Sequence, residues 1–311
     1  MRKIINFSFD DSLKFYKKNE FLNEEVVSIN KSDCDLVIYP SQNIVSYLTN
    51  KKSLSTIHDL MHKYESHFDE YDVNTIKNRD LHYQSICNKC DGILVDSKLG
   101  QNHVLDSYKV KKNQLHILPF VVPKYILKRT KLNIKKIFKI KKKYFFYPAQ
   151  FWEHKNHINV VEAFSYLQKE NNDFVLVFCG AKKNFFRKVK DKVEEKRLLK
   201  HILFLGRVDD KFMRPLYENA ELTIFASSCG PTNIPPLEAL SVGSPLICSN
   251  AYSMPLQVKN SALFFDPNNS RDLFKKIKIL IRNKKLKIKI IKEGKKTIKK
   301  YNQIHFYKLL N

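Results

Sequence analysis

Ten short apolar runs punctuate this chain, and helix-length amphipathic segments separate many of them. The first four are DLVIYP (35–40), LSTIHD (54–59), GILVDS (92–97) and LHILPF (115–120). Six more follow: YFFYPAQ (144–150), FVLVFCG (174–180), ILFLG (202–206), LTIFAS (222–227), PLICS (245–249) and ALFF (262–265). Helical spacing fills the gaps near 74–90, 98–108, 157–170, 184–199, 210–220 and 235–242, and 270–311 reads as helical and basic. Apolar runs joined through single helices specify parallel strands with crossover connections. The expected class is therefore α/β, with helices on both sheet faces.

A chain of 311 residues has room for two such domains. TKLNIKKIFKIKKK (130–143) is charged and lacks strand alternation, so it reads as the linker. The expected organisation is a shortened first domain over 1–130, a linker over 131–143, a second domain over 144–295 and a terminal helix over 296–311.

Several function classes are excluded early. GxG, GxxxxGK[ST] and GxSxG are all missing, which argues against a nicotinamide dehydrogenase, a P-loop NTPase and an ordinary serine hydrolase. No uncharged apolar run reaches about 18 residues, so no membrane-spanning helix is expected. The N-terminus shows no secretory signal pattern, and the expected location is the cytoplasm. CNKC (87–90) has zinc or redox spacing, but no second pair completes a site. The net charge is +25, and 271–300 carries 14 Lys and Arg against Asp272 and Glu293. That balance is either a lysine-rich solvated surface or an attraction to anionic lipid or substrate. No helix-turn-helix, zinc-finger or aromatic RNA-binding signature accompanies it, so nucleic acid is not an expected partner.

Ligands of open parallel sheets bind beyond the carboxyl ends of the strands. The loops there carry PAQFWEHKN, GRVDD with Arg207, and SSCGPTNIPPLE in the second half, and HDLMHKYE in the first. In GPTNIPPLEAL (230–240), proline falls at a helix start, where its missing N–H costs little, and the free N–H groups of that start are expected to meet an anion or polar ligand. Glu238 lies about one turn in, facing either the sheet or the mouth of the cleft; alone it could equally be a carboxylate favoured by the helix N-terminus. Lys155 precedes another helix and could meet a phosphate, or be a solvated loop residue. Gln150 ends its strand. His58 could bond a sugar hydroxyl or move a proton, and Asp59 could fix its tautomer or cap the next turn. His62 raises a metal site, but no third ligand lies at useful spacing.

Together these segments resemble the family 4 retaining glycosyltransferases, in particular bacterial mannosyltransferases. TIHDLMHKYE, GILVDSKLGQNHVLDSYKV, LHILPFVVPKYI, PAQFWEHKNHINVVEAF, FLGRVDDKFMRPLYENAELTIFASS and GPTNIPPLEALSVGSPLICS occur in the family's order, from about residue 34 to the C-terminus. The resemblance implies the GT-B fold, with two Rossmann-like domains, a cleft between them and an incomplete N-terminal domain. It implies a GDP- or UDP-linked sugar on the second domain and a glycan or lipid-linked acceptor on the first. The reaction it implies is metal-independent hexosyl transfer with retention, needing no cofactor and serving cell-surface polysaccharide synthesis. An anionic membrane surface and a partner chain completing the first domain are further expected partners.

By the same resemblance His58, Lys155 and Glu238 carry catalysis: His58 contacts the transferred sugar, Lys155 the diphosphate, and Glu238 the ribose hydroxyls. Asp59, Gln150, Arg207, Gly230, Thr232, Asn233 and Ile234 form the surrounding substrate site, and no residue is expected to hold a metal. Two positions depart from the family. Gly230 stands where it has an acid, eight positions before Glu238, and Gln150 stands where it has the arginine of a phosphate pair. The donor sugar would then be held by backbone N–H groups and Asn233. Family members also open with a strand and a glycine-rich loop, whereas no glycine precedes Gly92 here. The alternative is a catalytically weak GT-B-like subunit that binds a sugar nucleotide or a partner transferase.

Overall fold

All ten apolar runs form strands. The computed structural model describes residues 20–310, and the opening of the expected first domain, 1–19, lies outside the described residues. The chain divides into two compact units. One runs through His67 and resumes over Tyr71–Pro119; the other comprises Phe68–Glu70 and everything from Phe120 onward.

In the first unit, helix α1 (Glu20–Lys31) precedes four strands: β1 (Leu36–Ile38), β2 (Lys52–Thr56), β3 (Gly92–Val95) and β4 (Leu115–Ile117). They pair in sequence order, all parallel, with Leu54 opposite Gly92 and Ile93 opposite Leu115. Helix α2 (Val73–Lys89) supplies the β2–β3 crossover and α3 (Lys98–Ser107) the β3–β4 crossover. Each begins at a side-chain cap: Asp72 accepts from Thr75 N–H at 2.7 Å, and Ser97 accepts from Gly100 N–H at 3.0 Å. Ile57, Tyr83, Ile86, Ile93 and Val104 form the core.

The second unit is larger. Short helices α4 (Lys124–Leu127) and α5 (Ile134–Ile137) lead into strands β5 (Lys143–Pro148), β6 (Phe174–Cys179), β7 (Ile202–Phe204), β8 (Leu222–Phe225), β9 (Leu246–Ser249) and β10 (Ala262–Phe265). Between them lie α6 (His157–Glu170), α7 (Phe186–Glu195), α8 (Asp210–Glu218), α9 (Ile234–Val242) and α10 (Met254–Val258). Helices α11 (Ser270–Arg282), α12 (Lys284–Thr297) and α13 (Gln303–Leu310) follow the last strand. Beyond Lys143 every residue of β5 is buried, as is all of β6, β8 and β9. Strands covered on both sides need continuous rather than alternating apolar character, which is what their sequences show.

Residues 131–143, read from the sequence as a linker, carry α5 and bury Ile134 and Ile140 in the second unit's core. The lysines between them, and Ile137, point outward while Ile134 and Ile140 pack, a pattern that charge content alone hides. Tyr301, within the expected terminal segment 296–311, also packs on this core, and its carbonyl accepts from Val122 N–H at 3.0 Å.

Strand order in the second unit is β10-β9-β8-β5-β6-β7, all parallel. The chain builds outward from β5 through β6 to β7, then returns to the other side of β5 with β8. That reversal separates the connections leaving β5 and β8 and opens a crevice beyond their carboxyl ends.

Candidate nucleotide-sugar site

The β5 and β8 exits hold most of the residues expected to act. After β5 the chain passes Gln150 and a single turn, Glu153–Lys155, then enters α6 through Asn156 in the left-handed conformation (φ 60°). After β8 it passes Ser227 and Gly230 and enters α9 at Asn233, with proline in the first turn. Lys155 Nζ lies 3.3 Å from Asn233 Oδ1 and 3.4 Å from Ser227 Oγ. The lysine is held from behind, because the buried Tyr147 hydroxyl donates to its carbonyl. Ser228 N–H donates to His154 O at 2.8 Å and ties the two loops directly. The result is an ammonium group beside the first turn of α9, where Pro235 and Pro236 carry no N–H and the Asn233 N–H is taken by Gln257, so the positive potential there comes from the lysine and the helix dipole.

Gly230 adopts φ +116°, and an added Cβ would meet Asn233 Nδ2 at 3.1 Å. L side chains rarely adopt that backbone. Any side chain at this position, an acid included, would be strained in this turn. Asn233 is fixed by Gln257 of α10: its N–H donates to Gln257 Oε1 at 3.1 Å, and Gln257 Nε2 donates back to Asn233 O at 2.8 Å. Thr232 and Ile234 are half-buried beside it.

Glu238 faces inward and is 2 % exposed. Tyr217 of α8 donates to its Oε2 at 2.6 Å, and Tyr125 of α4 donates to Oε1. Burial pushes its carboxyl above the ordinary value, against the opposing pull of the two hydroxyls. The sequence left its direction open; the structure turns it into the protein with both oxygens engaged.

Other expected residues are placed differently. Gln150 is exposed and accepts from Trp152 Nε1 at 2.9 Å. Arg207 is exposed after the edge strand β7, two strands from β5. His58 and Asp59 belong to the first unit. Burial lowers the His58 pKa, favouring a neutral ring. Burial alone would raise the Asp59 carboxyl, but Arg79, donating at 2.9 Å, holds it below its ordinary value. Asp59 also caps Met61 N–H at 2.9 Å. Among the described residues no cluster of His, Cys, Asp and Glu could hold a metal ion. Cys87 and Cys90 are free buried thiols, and burial pushes Cys87 up to about 12.

Sequence reasoning missed four partners: Tyr125, Tyr217, Gln257 and Glu70. Glu70 groups with the second unit, and its carboxylate pairs with His154, next to Lys155. Burial would raise the Glu70 pKa, yet the His154 contact brings it below its ordinary value.

Residues 129–297 match the family model described as glycosyl transferases group 1. O-antigen chain mannosyltransferase B of Escherichia coli is 38% identical over 68 residues, covering 22% of this chain and 18% of that protein. The chain spans less than half the length of the curated relatives it matches. Among solved structures, sucrose-phosphate synthase from Thermosynechococcus elongatus superposes with a TM-score of 0.81 at 16% identity, covering 99% of this chain and 79% of that one. Anabaena HepE in complex with UDP and glucose gives 0.79 at 13% identity, covering 94% and 80%. The shared fold is GT-B.

Proposed function

The chain belongs to the glycosyl transferases group 1 family, and from that premise we propose that it is a retaining hexosyltransferase. Its donor is a GDP- or UDP-linked sugar, with mannose the favoured hexose because mannosyltransferases stand among its relatives. Its acceptor is a glycan or lipid-linked glycan of cell-surface polysaccharide synthesis, met at the cytoplasmic side of a membrane.

The observation that carries this reading is Lys155 Nζ beside Asn233 and Ser227, at the point where strand order reverses. Nucleoside diphosphate is the leaving group, and charge grows on its phosphate oxygens as the glycosidic bond breaks. Lys155 and the positive end of the α9 dipole are the groups we assign to meet that charge, and a preorganised cation there acts mainly on the transition state. In this reading they do so in place of a metal. Same-face attack by the acceptor hydroxyl then gives retention without a carboxylate nucleophile. Glu238 receives the ribose hydroxyls once Tyr125 yields Oε1.

The test is purified protein incubated with GDP-mannose and with UDP-sugars, following release of nucleoside diphosphate. Release that disappears in Glu238→Ala supports the reading. Donor binding without turnover favours a second one, a sugar-nucleotide-binding subunit of weak activity. Gly230 and Gln150, standing where the family pattern has charged residues, favour that alternative. Absence of both binding and turnover sinks the two together.

A further inference from the structure

The first two helices after β10, α11 and α12, expose a surface of one sign. Between 271 and 300, fourteen positions are exposed; eleven are Lys or Arg, two are Ile, one is Asn and none is acidic. On α11 the exposed stripe is Arg271, Lys275, Ile279 and Arg282. On α12 it includes Lys285, Ile288, Lys289, Lys292 and Lys296. These spacings of three and four put each set on one helix face. The helices pack against one another within the same unit.

The segment's two acids are engaged locally. Asp272 accepts from Asp266 N–H at 3.0 Å and pairs with Lys276, while Glu293 pairs with Lys296 at 2.8 Å. Acids from elsewhere reach Lys278 and Lys287, which are only half-buried and not among the exposed eleven. The exposed cations are thus left largely uncompensated. Among them Ile279 is 45% exposed and Ile288 58%.

We infer that this face of α11 and α12 docks the protein on an anionic lipid bilayer. Lysine ammonium groups meet lipid phosphates as point charges, and the two isoleucines enter the boundary beneath the headgroups. Single-stranded nucleic acid fits the charge but not the rest, because the exposed positions offer no aromatic ring on which a base could stack. The assignment adds a surface to the proposed transferase, giving it a way to meet a lipid-linked acceptor. None of its exposed residues belongs to the donor site, so soluble donor turnover and membrane binding can fail independently.

Co-sedimentation of the full chain with phosphatidylcholine vesicles, with and without phosphatidylglycerol, tests it. Binding should require the anionic lipid and weaken between low and physiological salt. Reversing Lys285, Lys289, Lys292 and Lys296 together to Glu should weaken it by at least about a hundredfold. Reversing Lys112, Lys131, Lys141 and Lys200, exposed lysines outside the face, alters net charge equally and should cost less than about threefold. Donor turnover in solution should be unchanged in both. Ile288→Ser should weaken binding at fixed charge. Equal binding to neutral vesicles, or equal loss in the two quadruple variants, overturns the inference. So does displacement by single-stranded RNA combined with indifference to Ile288→Ser, which would mark a general polyanion surface.

Discussion

Tyr217 donates its hydroxyl to Glu238 Oε2 at 2.6 Å, with both residues at most 2 % exposed, while the less buried Tyr125 holds the other oxygen. The two hydroxyls therefore have different consequences. Tyr217→Phe leaves a deeply buried carboxylate oxygen without its donor and should destabilise the protein by about 1–3 kcal/mol, read as a lower denaturant midpoint. Tyr125→Phe frees the oxygen that a ribose would need. It should tighten nucleoside diphosphate binding, measured by calorimetry, with a smaller loss of stability than Tyr217→Phe because Tyr125 is the less buried of the two. Weaker binding in Tyr125→Phe would show that the tyrosine helps to hold the donor instead of competing with it.

Lys155 is the one side-chain cation within reach of both Asn233 and Ser227 in the described contacts. Lys155→Met keeps its apolar stem and removes the charge, and turnover should fall by about a hundredfold to a thousandfold. Asn233→Ala removes a neutral partner and should cost about fivefold to tenfold. Gln150→Arg restores a second cation at the exposed exit of β5 and should raise affinity for the nucleoside diphosphate, most visibly at low salt. Comparison of kcat and KM across the three separates transition-state contacts from simple donor binding.

All ten strands appear where apolar runs occur, and those of the second unit's centre were the most legible because strands buried on both faces are continuous apolar runs; β1 and β4 are largely exposed. Lys155, Asn233 and Gly230 were legible for a related reason: the loop at a strand's carboxyl end can be located from the strand alone. The partners of Glu238 were not. Tyr125 lies 113 residues away and Tyr217 lies 21 away on another helix, and nothing in local spacing marks a tyrosine as a carboxylate's partner. Glu70, 84 residues from His154, was hidden in the same way. The buried isoleucines of 131–143 were missed because lysine content outweighed a short apolar spacing. Pairings that depend on long-range packing leave no local pattern.

The exits of β5 and β6 approach too closely for a side chain at Gly180. Ala149 N–H donates to Cys179 O at 2.9 Å, and a Cβ on Gly180 would lie 2.1 Å from Ala149 O. The obstacle is backbone, which cannot swing aside. Gly180→Ala should cost about 3 kcal/mol or more and should also disturb the loop bearing Lys155, since Gln150 follows Ala149 directly. Chemical denaturation measures the first effect. A variant as stable as the parent would show that the two exits can separate.

His157 opens α6 with its ring fully buried, 4.3 Å from Phe151 and 4.8 Å from Tyr147 between centroids. Burial lowers its pKa from 6.5 to about 3. The folded state then binds a proton less readily than the unfolded chain, so this residue's contribution is intact above pH 6.5. It is lost as pH falls from 6.5 towards 3. At pH 4.5 the loss amounts to about 3 kcal/mol, at roughly 1.4 kcal/mol per pH unit. His157→Leu should remove that dependence, flattening unfolding free energy between pH 6.5 and 4.5 by close to one proton. Because the ring sits directly after Lys155 and Asn156, acid should also loosen the β5 exit. Nucleoside diphosphate binding by the parent should fall over the same interval more steeply than binding by His157→Leu. Parallel pH profiles for the two proteins would show that the ring is accommodated in its charged form.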